Sequence, residues 1–245
     1  MKKYFVLLWL LLPLPVVVLH FGRGQQWLAN DKAYAFVTEA QHAEKKENWQ
    51  QADQLYNAAA KCVAPENRDL KLRLDLAQVR TRFRSGDAMA AIDGSEKLLD
   101  NPAMASMPAD FQREARELTG RIHYYAGWVM RLEGASRELW MEEAELSRQN
   151  FRLLAEQSSA AEAKEVSVKQ QENLESAVQL QRLSLTELMA RPLPKEGRSM
   201  SGQGLSEQMA KRRGQRGNNP GRGENEDGPP GKGAGMSRFK AGSGS

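Results

Sequence analysis

The sequence has too few cysteines and histidines for the sites that these residues usually build. Its 245 residues include a single cysteine, Cys62, so no disulfide can form within the chain and no cysteine metal cluster can exist. The three histidines do not stand at a metal-binding spacing from one another. We therefore predict neither a metal ion nor another cofactor.

Sequence motifs of catalysis are also missing. We find no serine-hydrolase, zinc-protease, phosphate-loop or dinucleotide-binding motif in the chain. The acidic residues Glu142, Glu143 and Glu145 fall on nearly consecutive helical positions, so their side chains point in different directions. A solvated helix face explains them better than an acid–base pair. We predict that the protein is not an enzyme and has no small-molecule substrate.

The net charge of +4 is unevenly distributed along the chain. From Arg191 onward there are 11 Lys or Arg residues against 5 Asp or Glu, which leaves the preceding residues slightly acidic. A near-neutral body lacks the basic face with which proteins bind nucleic acid. We therefore do not expect nucleic acid as a partner.

An uncharged run covers residues 4–21 and is interrupted only by two prolines and one histidine. The run is just long enough to cross a bilayer of about 30 Å as a helix. A cleavable signal peptide is the alternative, but the run ends without the small residues of a cleavage site. We therefore predict an uncleaved transmembrane signal anchor in residues 1–22.

The charges beside this run predict its orientation. Lys2 and Lys3 precede it, and only Arg23 follows closely. Positive residues beside a span tend to stay in the cytoplasm. The sequence thus predicts a single-pass protein of a bacterial inner membrane, with its C-terminal domain in the periplasm.

Residues 29–190 have apolar side chains at spacings of three and four and no alternating strand pattern. This periodicity predicts an all-α domain. The breaks between periodic stretches predict six or seven helices. Their approximate bounds are 31–46, 49–63, 72–83, 88–99, 111–132, 136–157 and 161–190.

The second of these helices has an ordered pattern of small and large residues. The turn Glu47–Trp49 leads to Ala52, a large residue follows at Tyr56, and a small one at Ala59. A second copy, aligned with Ala91 on Ala52, follows a glycine–aspartate turn. This pattern resembles the tetratricopeptide repeat, in which two helices form a pair and successive pairs stack.

The resemblance covers residues 33–99 and extends to residue 157 only through the helix–turn–helix shape. The second copy departs from the repeat pattern, with Ser95 at an aromatic position and Leu98 at a small one. The resemblance implies a short solenoid of stacked helix pairs, capped by the long last helix. An ordinary helical bundle is the alternative, because alanine is a good helix former in any context.

The composition changes after Pro194. Thirteen of the twenty glycines lie there, and Phe239 is the one aromatic residue. Such a segment buries too little apolar area to offset its backbone entropy, so we predict a disordered tail over residues 191–245. Its basic cluster could bind an anionic lipid or polymer. The cluster comprises Lys211, Arg212, Arg213, Arg216 and Arg222.

Together these features predict an extracytoplasmic adaptor or assembly factor that binds a protein partner in an envelope complex. The layout is similar to that of bacterial single-span proteins with a periplasmic tetratricopeptide domain. We predict that Trp49, His123 and Tyr124 lie on the partner-binding surface. Two alternatives remain at this point: an envelope-binding module that acts through its basic tail, and a cytoplasmic helical protein associated with RNA.

Overall fold

The computed structural model describes residues 23–158, 164–193 and 195–217. Within these ranges all regular structure is helical, which confirms the predicted all-α class. A first compact unit ends at Ala210, and a second comprises Lys211–Ser245. The longer helices are α1 (Arg23–Lys45), α2 (Trp49–Cys62), α3 (Arg68–Ser85), α4 (Ala88–Leu99), α5 (Ala109–Leu132), α6 (Arg137–Ser158) and α7 (Lys164–Arg182). Three further α-helices follow, α8 (Leu185–Met189), α9 (Lys195–Met200) and α10 (Leu205–Gly217), and a 3₁₀ turn at Pro102–Ser106 precedes α5.

Short polar residues begin the helices where the sequence predicts a break. The side chains of Asn48, Asn67 and Asp87 each accept a hydrogen bond from a backbone N–H in the first turn of α2, α3 and α4. These bonds satisfy donors that have no partner inside a helix. Gly86 ends α3 with φ of 91°, a left-handed conformation that glycine adopts without steric cost.

Consecutive helices pack against each other as stacked adjacent pairs. Between α1 and α2 the small residues Ala40, Ala52 and Ala59 are fully buried, and Tyr56 is nearly so. Their size lets the two helix backbones approach closely. The positions that carry the repeat resemblance are therefore core positions.

The second copy accommodates its departures from the repeat pattern by close packing. Ser95 is buried and its hydroxyl donates to the carbonyl of Ile92, 2.9 Å away. Leu98 is buried as well, in the main core that α3, α4 and α5 share. A Cβ at Gly94 would lie 2.9 Å from the side chain of Val79, so the glycine permits the contact.

The predicted last helix, 161–190, is divided in the structure. α7 ends at Arg182, and Ser184 begins the short helix α8. Ser184 and Glu187 form a capping box, in which each side chain bonds the backbone N–H of the other residue. This local pattern outweighs the apolar periodicity that predicts one continuous helix.

The helical structure also extends beyond the predicted boundary at residue 190. Helix α9 and the first turns of α10 bury three apolar side chains in the main core: Met200, Leu205 and Met209. Both carboxylate oxygens of Glu133 accept backbone N–H groups at the start of α10, from Leu205 at 3.3 Å and Ser206 at 2.8 Å. The prediction of disorder is therefore wrong for residues 195–210, because three apolar side chains and one cap suffice to dock this segment.

Two predicted segments lie outside the described residues: the anchor in residues 1–22 and the end of the tail in residues 218–245. Among the helices that the structure describes, none is long and apolar enough to cross a membrane.

Candidate protein-binding groove

A groove of about 350 Å³ lies between α3, α5 and α7. Phe83 and Leu118 form its apolar part, and charged side chains form the rest. The charged residues are Arg80, Arg84, Asp110, Arg113, Glu114, Glu117, Arg121 and Lys169.

A second groove, of about 460 Å³, adjoins the first. Its lining includes Gln41, Glu44 and Lys45 from α1 and Trp49 from the start of α2. Arg80 and Arg84 line both grooves, so the two adjoin at these residues. We call this combined surface the inner groove. It runs along α1, α3 and α5, the first helices of three successive pairs.

Arg80 joins these three helices. Its Nη2 lies 3.2 Å from Glu44 of α1, and its Nη1 lies 3.3 Å from Glu114 of α5. A second ion pair, Arg82 to Asp53 at 3.0 Å, ties α3 to α2. Each partly exposed pair stabilises by about 1 kcal/mol at most, so their main effect is to fix the spacing of the helices.

Two arginines of the inner groove lie over aromatic rings. The guanidinium carbon of Arg84 is 5.7 Å from the centre of the Trp49 ring, and that of Arg121 is 6.0 Å from the centre of the Phe83 ring. Cation–π contacts of this kind hold a guanidinium in place. Trp49, a predicted partner-binding residue, thus lies in the inner groove, in cation–π contact with one of its arginines.

Glu117 is held in its charged form at the α7 side of the groove. Burial alone would raise its pKa, but hydrogen bonds from Lys169 at 2.7 Å and Gln170 at 3.0 Å lower the pKa below its ordinary value. The contact links α5 to α7 and favours the charged form of Glu117 on the wall of the groove.

The structure separates Tyr124 from the inner groove. Tyr124 is half-buried and packs edge-on against Tyr125, with ring centres 5.3 Å apart, and against Trp128, at 5.7 Å. Burial raises the pKa of its hydroxyl to about 12. The side chain belongs to the packing between α5, α6 and α7 and does not line the groove.

The prediction that His123 lies on the surface is wrong. His123 is 1% exposed, and its Nδ1 is 2.6 Å from Oε2 of Glu143, which is 2% exposed. Glu143 is therefore not part of a solvated face, contrary to the sequence-based expectation. The two side chains pair between α5 and α6, and no partner can reach them there.

A signal for this burial is present in the sequence. Gly120 and Gly127 lie on α5 at a spacing of seven, and each faces α6, against Phe151 and the backbone of Ala144. Glycines at helical spacing mark a second packed side of the helix, beyond the apolar stripe. His123 lies between them, so its burial could have been expected.

The basic cluster of the tail falls partly within the described residues. Lys211, Arg212, Arg213 and Arg216 belong to α10 in the second compact unit, where Lys211 and Arg213 are exposed. Arg222 lies outside the described residues.

The sequence analysis missed the arginines of the inner groove. They are dispersed along α3 and α5, and only the packing of the helices brings them to one surface. Within the part of the chain that the structure describes, no group of His, Cys, Asp and Glu residues is arranged to hold a metal ion. No family model, curated protein or solved structure matches the chain.

Proposed function

We propose that this protein is a membrane-anchored adaptor or assembly factor whose helical domain lies in the periplasm and binds a segment of another protein. The observation that carries the proposal is the inner groove, whose two adjoining parts are lined by the first helices of three successive pairs. Stacked helical repeats use extended surfaces of this kind to bind partners. The anchor and the compartment rest on the sequence of residues 1–23.

We further propose that the pairs are tetratricopeptide-like repeats. In support, Ala40, Ala52 and Ala59 are buried where the repeat pattern requires small residues, and Tyr56 fills the position of its large residue. The turns between the helices of a pair are short, and each pair packs on the next.

Site-specific photocrosslinking in native membranes tests the adaptor function. A benzoylphenylalanine at Gln41, which is exposed in the inner groove, should capture one dominant protein. The same residue at Asn57, exposed on α2 and outside the lining of the groove, is the matched control. Equal capture at both positions, or none at Gln41, would contradict the proposal.

A different variant is needed to test the competing function, in which the basic tail binds an envelope lipid or polymer. A deletion from Arg191 would remove Met200, Leu205 and Met209 from the core and unfold part of the domain. Replacement of the basic residues of α10 by glutamine in the full chain avoids this. Capture through Gln41 should persist in that variant if the groove binds the partner, and its loss would favour the tail.

A further inference from the structure

Residues 195–209, which we call the docked segment, join the main core through three side chains. Met200 and Leu205 are fully buried, and Met209 is 8% exposed. The other buried residues of this core lie between Leu72 and Met130. The chain from α3 to α5 therefore supplies most of the core by itself.

The docked segment lies over the end of α3 and the second half of α5. Near α3, a Cβ at Gly86 would lie 2.1 Å from the backbone oxygen of Ser199. On α5, the carboxylate of Glu133 accepts the backbone N–H groups of Leu205 and Ser206. This surface thus approaches a backbone closely and satisfies its polar groups, as a binding site for a protein segment must.

The surface beneath the docked segment adjoins the inner groove. Phe83 lines the inner groove, and its ring centre is 5.9 Å from that of Tyr125. The ring of Tyr125 in turn would lie 3.0 Å from a Cβ at Gly197, in the docked segment. A partner bound in the inner groove therefore lies next to the docked segment.

Ordering the docked segment costs much conformational entropy for the area that it buries. Its two helices are separated by a turn in which Gly202 has φ of 79° and Gly204 has φ of 64°. Glycine loses more conformational freedom on ordering than any other residue. A Cβ at either glycine would have no neighbour within 4 Å, so close packing at these positions does not offset the cost. Segments with few buried contacts open at a lower free energy than the rest of a fold.

We infer that the docked segment is an internal ligand, which a segment of the partner protein replaces. The replacing segment carries methionine or leucine side chains at the spacing of Met200, Leu205 and Met209, so the apolar surface of α3 and α5 is covered again after the exchange. This inference rests on the proposed adaptor function for the existence of a partner. It adds a second binding surface and the chemistry of the segment that binds there.

A partner protein fits this role better than a second copy of the chain. The docked segment follows α8 after a short connection, so its effective concentration at its own surface is about 1 mM. The identical segment of a second copy has no higher affinity and lacks this advantage. A partner segment with fewer glycines loses less entropy on binding and can therefore compete.

Peptide binding to the full chain in lipid nanodiscs tests the inference. The probe is a fluorescein-labelled peptide with the sequence of residues 195–210, and the control peptide has serine in place of Met200, Leu205 and Met209. The test variant combines Leu205→Ala and Met209→Ala, which weaken the docked segment and leave α3 and α5 unchanged. From fluorescence anisotropy we expect the probe to bind this variant at least about tenfold more tightly than the wild type, whose own segment competes at about 1 mM.

Leu153→Ala is the matched control variant, because it removes an apolar side chain that is 42% exposed and lies outside the main core. This variant should bind the probe as weakly as the wild type, and the control peptide should bind to none of the three chains. Equal binding of the probe to all three chains, or no binding to the test variant, would overturn the inference. Thermal melts confirm that each variant is folded.

Hydrogen exchange provides a second measurement that needs only the wild type. With isotopically labelled protein, whose fragments differ in mass from those of the peptide, the probe at about 1 mM should speed exchange in residues 195–209. The control peptide should leave this exchange unchanged. Exchange that stays slow at several times this probe concentration would show that the docked segment is not replaceable.

Two further outcomes separate this inference from its rivals. A wild-type dimer in light scattering that is lost in the test variant would assign the surface to a second copy of the chain and overturn the inference. If the probe does not bind while a crosslinker at Gln41 captures one dominant protein, the adaptor function stands and the internal ligand is wrong.

Discussion

At the scale of single residues, the least expected feature is the buried contact of His123 and Glu143. The two residues are 20 positions apart, on different helices, and their 2.6 Å contact lies in a packed interface. A polar pair taken out of water loses its hydration, and the mutual bond returns much of that loss only while both partners are present. We therefore expect the pair to specify how α5 and α6 fit more than it stabilises them.

The effects of the single and double substitutions of this pair on stability should not be additive. We expect His123→Leu or Glu143→Leu alone to lower the free energy of unfolding by about 3–5 kcal/mol, because each leaves a buried polar group without its partner. The double variant should lose less than either single variant. Urea denaturation followed by circular dichroism measures all three. Strictly additive losses would show that the contact contributes no coupling.

Glu145 gives a prediction for acid stability. Hydrogen bonds from Arg148, at 2.5 and 2.8 Å, lower the pKa of Glu145 to about 2. A carboxylate with a lowered folded-state pKa stabilises the protein above its unfolded pKa, and this contribution is lost as the pH falls toward about 2. The side chain is 38% exposed, so solvent screening limits the effect at neutral pH to less than about 1 kcal/mol.

We expect Glu145→Gln to lower the free energy of unfolding slightly at pH 7 and to converge with the wild type toward pH 2. Chemical denaturation at a series of pH values measures this convergence. Arg148→Gln is the reciprocal control and should remove the same pH-dependent difference. A difference that stays constant down to pH 2 would assign the effect to something other than this ion pair.

At the scale of helices, the sequence predicts ends that depend on local capping but not contacts that depend on long-range docking. The starts of α2 and α4 follow Asn48 and Asp87, and the end of α3 follows Gly86, so these bounds could be predicted from local residue types. The docking of α9 and α10 could not, because three apolar residues in a glycine-rich segment form no periodic stripe. The same limit applies to the inner groove, whose arginines share a surface only after the helices stack.

Substitution of two glycines with similar φ angles distinguishes the cost of backbone strain from the cost of disturbing a docked segment. Gly86 has φ of 91°, and a Cβ there would lie 2.1 Å from the backbone oxygen of Ser199. Gly134 has φ of 75° and open space within 4 Å. Gly134→Ala should therefore cost only the left-handed strain of about 1–2 kcal/mol, whereas Gly86→Ala should cost more and displace the segment before α10.

Hydrogen exchange across residues 195–209 and urea denaturation of both variants test this comparison. Faster exchange in this segment is expected for Gly86→Ala and not for Gly134→Ala. Equal destabilisation of the two variants with unchanged exchange would mean that the docked segment adjusts to the added methyl group without additional cost.

At the scale of the whole molecule, the all-α class and the stacking of adjacent helix pairs could be predicted from periodicity and short breaks. The identity of the pairs as tetratricopeptide-like repeats, the anchor and the compartment stay predictions. The proposed adaptor function needs a surface that binds a partner, which the inner groove would supply. It also needs an anchor that confines the protein to the membrane. Arg80, shared by Glu44 and Glu114, holds that surface together across three helices.

The orientation of the chain in a membrane is directly testable. Because Lys2 and Lys3 precede the predicted span, we expect alkaline phosphatase fused after Ser245 to be active, since this enzyme folds in the periplasm. A β-galactosidase fusion at the same point is the control and should be inactive. The reverse pattern would place the domain in the cytoplasm and favour the RNA-associated alternative.

The docking of the C-terminal segment also governs the order in which the protein can fold. Ser206 bonds a residue 73 positions earlier, and Met200, Leu205 and Met209 complete a core whose other members end at Met130. Closing a loop of this length costs entropy before its contacts form, and non-local contacts slow folding. The part of the core that α3 and α5 form with these three residues can therefore be completed only after nearly all of the described chain has been synthesised.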